Sequence, residues 1–179
     1  HHGVVVAFGD NVLVSEPHPT DPVEELPVGV RFAGADNKVA GELHDCPDLH
    51  GEAASGSIVA IACKTGLLLV KSGSDGPQVE HLDYAQSLPD GKSTTLAGGR
   101  GLQYFLGNYG PQAVVLIDPA NEDAFRLIEL PARRVHFAVD SVRPRFAYVF
   151  TEDGQLHQLD VVTGKIEKSL KLTEPYSMD

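Results

Sequence analysis

The chain has 179 residues, a formal net charge of -11 and a pI near 5.0. That length can bury a substantial core, and that charge repels a phosphate backbone, so a nucleic-acid partner is excluded from the reading. Membrane insertion is excluded with it, because no apolar run approaches the roughly 18 residues that a spanning helix needs.

Nothing along the sequence reads as a helix of three turns; strand-like runs with turn residues between them recur throughout. The chain opens on His1-His2-Gly3 and runs straight into a strand-like stretch, so a cleaved leader or missing preceding residues are expected. The first unit reads as strands over 4–8, 11–15, 29–33 and 39–43, with a Pro-rich insertion over 16–27. The second begins at His50 and continues over 58–63, 67–71 and 78–82. The third has strands over 102–106, 113–117 and 125–130, with Arg100-Gly101 taken as its entrance. The fourth reads 135–139, 146–150, 155–160 and 165–172, with tight turns at Gly154 and Gly164 that call for positive φ.

One strand quartet cannot bury both its faces, so neighbours must stack, and stacking them around an axis makes a β-propeller. The expected fold is all-β, with four-stranded antiparallel blades over about 1–45, 46–88, 89–131 and 132–179, in a repeat of roughly 40–50 residues. The run Ile58-Val59-Ala60-Ile61-Ala62-Cys63 has no polar alternation, as expected for a strand covered on both sides. Four blades close poorly. The chain therefore reads as part of a longer propeller, an eight-bladed ring being the candidate, with a β-sandwich as the alternative architecture.

Three histidines fall at matching places in this repeat: His2, His50 and His136, about 48 and then about 86 positions apart, the latter close to two blade lengths. Blade entrances converge on the axis of a propeller, and three neutral imidazoles in one volume make a zinc site. His1, Glu52 and Asp140 are further candidates; the two carboxylates lie an even number of positions from a histidine and so share its strand face. The plain alternatives are an expression-tag remnant for His1-His2 and ordinary core or surface roles for the others. His18, His44, His81 and His157 read as surface residues.

Cys46 and Cys63 are the two cysteines. One pair fits a single disulfide in an oxidising compartment; two reduced buried thiols in a cytosolic protein are the alternative. The stretch His44-Asp45-Cys46 to Asp48 reads as the passage from one blade to the next. No nucleophile elbow or phosphate-binding loop is present: Ser55-Gly56-Ser57 lacks the flanking pattern, and Gly98-Gly99-Arg100-Gly101 enters a strand. No enzyme is expected.

The phrases Cys46-Pro47-Asp48-Leu49-His50-Gly51-Glu52, Gly99-Arg100-Gly101-Leu102-Gln103-Tyr104-Phe105-Leu106-Gly107-Asn108 and Arg134-Val135-His136-Phe137-Ala138-Val139-Asp140 together resemble the AztD family of bacterial periplasmic zinc metallochaperones. The resemblance covers the whole chain. It implies a β-propeller that binds Zn2+ in the periplasm and passes it by ligand exchange to the solute-binding protein of a zinc ABC transporter. His2, His50 and His136 would be the ligands. Members are about twice as long, which implies a fragment here. A propeller acting only as an interaction platform, or a metal-dependent hydrolase or lyase, are the rival readings.

Overall fold

A computed structural model describes residues 3–34 and 38–177. Among the described residues, sixteen strands form four separate four-stranded antiparallel sheets. The first holds β1 (Val5–Phe8), β2 (Asn11–Glu16), β3 (Gly29–Ala33) and β4 (Val39–Asp45). The second holds β5 (Glu52–Ser55), β6 (Ile58–Ala62), β7 (Gly66–Gly73) and β8 (Gly76–Asp83). The third holds β9 (Leu96–Ala97), β10 (Phe105–Asn108), β11 (Ala113–Ile117) and β12 (Phe125–Glu129). The fourth holds β13 (Arg134–Val139), β14 (Phe146–Thr151), β15 (Gln155–Asp160) and β16 (Lys165–Lys171). Strand order within each sheet follows chain order, the meander expected of propeller blades. Among the described residues no helix is long and apolar enough to cross a membrane.

The core lies between sheets. Because side chains alternate along a strand, β6 sends Val59 and Ile61 towards Leu13 and Val30 of the first sheet, and Ala60 and Ala62 towards Phe105 and Val115 of the third. The third space joins Leu106, Val114 and Ile128 to Phe137, Val149 and Leu159 of the fourth sheet. The unbroken apolar run at 58–63 therefore has two covered faces, as its lack of alternation predicts. Gly154 and Gly164 adopt φ of 79° and 68° in the turns flanking β15, as the sequence demanded.

The third sheet departs from expectation. Its first strand is the two-residue β9, ahead of Arg100, and Arg100 sits exposed in a turn. The Gly99 carbonyl accepts the N–H groups of Leu102 (3.0 Å) and Gly56 (3.3 Å), which closes that turn and ties it to the second sheet. Ladder pairing resumes only at Phe105, so the strand expected over 102–106 begins three residues late. Arg100 therefore does not share a strand entrance with His50.

Cys46 and Cys63 form a disulfide with a Cα–Cα distance of 4.9 Å, both residues fully buried. It fastens the passage out of β4 to the end of β6, as the reading of 44–48 as an inter-blade connection implied. Closing a loop of this size contributes about 3 kcal/mol in the chain-entropy account.

Candidate metal site

His50 stands in the connection between the first two sheets, two residues before β5. Several backbone bonds hold this connection: Cys46 N–H to Val28 O (2.8 Å), Leu49 N–H to Pro27 O (3.1 Å) and His50 N–H to Ala62 O (3.0 Å). Asp48 takes a left-handed φ of 53°, and its carboxylate accepts from Lys92 at 3.0 Å, with Lys64 at 3.7 Å. The Lys92 hydrogen bond is the main reason that the Asp48 carboxyl stays below the usual carboxylate range. The segment bearing His50 is thus anchored by a disulfide, an ion-pair cluster and ladder-like bonds on both sides.

The imidazole itself is half-buried, with Nδ1 2.8 Å from the Thr94 carbonyl oxygen. A carbonyl only accepts, so Nδ1 carries the proton, and a neutral ring then keeps its lone pair on Nε2, the form that ligates a metal. A small cavity of about 150 Å³ is lined by Gly3, Val4, His50, Gly51 and Glu52. Glu52 and His50 thus share one volume, and Gly3 brings the residue after His2 to its wall. His1 and His2 lie outside the described residues.

His136 occupies the third position of β13, opposite Phe150, and is exposed on the face turned away from the third sheet. Its position is inside a strand, whereas His50 precedes one; the shared register does not hold to the residue. Asp140 lies just past β13 and closes a turn, accepting the N–H groups of Val142 (3.0 Å) and Arg143 (2.9 Å) and the Arg143 guanidinium (2.9 Å). Those bonds, the Arg143 amide first, hold its carboxyl below the ordinary range. Among the described residues no three His, Cys, Asp or Glu side chains gather in one place.

Of the histidines read as surface residues, His81 is exposed and pairs with Asp83 at 2.9 Å, while His18 and His44 are half-buried. His157 overturns that reading. It is 1% exposed, with Nε2 2.9 Å from Thr151 Oγ1 and Nδ1 2.7 Å from Ser169 Oγ. Thr151 donates onward to Asp153 at 2.5 Å. Burial, opposed by the nearby Asp153, lowers the His157 pKa from its ordinary 6.5. This is a structural network that joins β14, β15 and β16. Ser55 is likewise a fastener and no nucleophile: its hydroxyl donates to Tyr104 O at 2.6 Å and accepts from Gly99 N–H at 3.2 Å. A cavity of about 640 Å³ lies between the outer strands of the second and third sheets, against Asp83, Asp123 and Arg126, with no histidine in its lining.

No family model matches the chain. It is 52% identical, over all 179 residues, to the zinc chaperone AztD of Citrobacter koseri, and spans 42% of that protein. The structure of apo AztD from the same organism superposes with a TM-score of 0.94 over 99% of this chain and 48% of the other. The β-propeller domain of Cps50 (Swd1) from Myceliophteria thermophila, 16% identical, gives a TM-score of 0.59 over 97% of this chain and 56% of that one, a likeness of fold. The resemblance to AztD holds along the whole chain, the fold is a propeller of four-stranded blades, and the chain spans less than half the length of the curated relative it matches.

Proposed function

We propose that this chain is the zinc-carrying part of a chaperone that takes up Zn2+ as cargo and passes it to a protein recipient, and that it is a carrier and not an enzyme. The observation that carries the reading is the 52% identity with a zinc chaperone, which extends over the whole chain and so includes the segment where His50 and Gly3 line one cavity. The ligand set of this proposal is His2, His50 and His136, with His1 and Glu52 beside them. Both oxygens of Asp140 are committed to the turn it closes, which favours a structural role for that carboxylate. A small pocket with an imidazole at its wall suits transfer by ligand exchange, in which incoming side chains replace the protein's ligands one at a time. The recipient in this reading is the solute-binding protein of a zinc ABC transporter. The buried disulfide fits an oxidising compartment such as the periplasm.

Competition titration with a zinc chelator tests the site. His50→Ala and His136→Ala are each expected to weaken binding beyond the roughly 10–100-fold carried by outer-shell partners. Unchanged affinity in both variants would leave a propeller that serves as an interaction platform. Delivery is tested by mixing zinc-loaded protein with the solute-binding protein: transfer must run faster than spontaneous zinc release, and equal rates would remove the chaperone role.

A further inference from the structure

We propose that Asn108, in the third sheet, is a positioning residue for His50 in the second: by fixing the Thr94 carbonyl it holds the His50 ring in the tautomer that presents Nε2. The inference rests on His50 being a zinc ligand, as proposed above.

Residues 93–95 approach β9 without belonging to a strand, so no ladder orients their peptide groups. The Asn108 carboxamide does so instead. Its Oδ1 accepts the N–H groups of Thr94 at 2.7 Å and Thr95 at 2.8 Å, and its Nδ2 donates to Thr94 Oγ1 at 2.9 Å. Two backbone-level ties complete the grip: Asn108 N–H to Thr95 O at 3.2 Å, and Ser93 Oγ to Asn108 O at 2.9 Å. The Thr94 carbonyl, held in this way, receives Nδ1–H of His50 at 2.8 Å. Room for that approach comes from Gly51, at φ +86°, where a Cβ would stand 2.5 Å from the same oxygen. Imidazoles that bind metals are routinely oriented by an acceptor on their second nitrogen, and loss of that acceptor costs about 10–100-fold in affinity. Here the acceptor lies on the approach to the third sheet and is gripped by Asn108 of β10, so the spacing of two blades sets the aim of the ligand. A carboxamide suits the task because one planar group supplies both the acceptor for two amides and the donor for a hydroxyl.

Nitrogen-resolved NMR of the histidine rings in the zinc-free full chain tests the first link. His50 is expected as the Nδ1–H tautomer, and a dominant Nε2–H form overturns the proposal without any variant. Asn108→Ala is expected to mix the tautomers and to weaken zinc binding about tenfold or more in competition titration. Asn108→Asp keeps the acceptor oxygen and is expected to restore the tautomer and most of the affinity, which also keeps the test open should the alanine variant fail to fold. A lowered unfolding midpoint for Asn108→Ala with tautomer and affinity unchanged would show a merely structural side chain and overturn the proposal. Loss of binding in His50→Ala beside normal binding in Asn108→Ala overturns it alone; normal binding in His50→Ala overturns the ligand reading and this proposal together.

Discussion

In the second and third sheets the middle strands β6 and β11 bury nearly every residue and β7 its first five, whereas the middle strands β2 and β14 of the first and fourth stay half-buried or alternate, and the flanking β1 and β16 carry Val5 at 68% and Leu170 at 61% exposure. What differs between the two pairs of sheets is whether a neighbour lies against each side. Stability in this architecture therefore resides in the spaces between sheets, and a residue's worth follows from which space it enters. The fourth sheet shows both conditions at once: Phe137, Val149 and Leu159 fill the space shared with the third sheet, while Tyr148, Leu156 and Leu170 line a shallow cavity of about 330 Å³ on the opposite face.

The contrast is broken most sharply at Phe105, fully buried between the second and third sheets. Phe105→Ala is expected to cost about 3–5 kcal/mol in denaturant unfolding, through lost burial and the cavity left behind. Reduction of Cys46–Cys63, or the paired serine variant, comes next at about 3 kcal/mol, since it releases the link between the first two sheets. His157→Ala leaves Thr151 and Ser169 without their shared partner and should cost about 1–3 kcal/mol. His157 also imposes a pH dependence of known sign. Its pKa is lower folded than the ordinary 6.5, so below that pH the unfolded chain binds the extra proton first. The stability this group contributes is intact above pH 6.5 and is lost as pH falls from there through the folded value; unfolding midpoints measured across that window should drop, and the drop should shrink in the alanine variant. Leu170→Ala, on the open face, is expected to stay within about 0.5 kcal/mol. A cost there rivalling that of Phe105 would mean the open face is covered in solution.

Fold was readable wherever local pattern reports burial. The apolar run at 58–63 announced two covered faces, and the glycines at 154 and 164 announced turns. β9 was not readable, because two residues, Leu96 and Ala97, carry no period, and the glycines that follow mimic a strand entrance. His157 was misjudged for a related reason: alternation says which face a residue occupies and is silent on what lies opposite. Its hydroxyl partners come from strands six residues before and twelve after, joined only by sheet register. Of the candidate site, the position of His50 ahead of a strand was legible, but the acceptor of its ring, the Thr94 carbonyl, lies 44 residues away on the approach to β9 and carries no motif. Asn108, which grips that carbonyl, stands out by no motif either.

Each sheet is made of consecutive strands, and each inter-sheet space joins partners that follow one another along the chain. Contacts of this kind favour stepwise assembly, each sheet docking on its neighbour in chain order. The second sheet covers Leu13 and Val30 of the first, and the cystine spans that junction, where Cys63 follows directly on β6. The cystine therefore works as a hinge pin: when the fold opens locally, these two sheets can part only by the slack of one covalent tether.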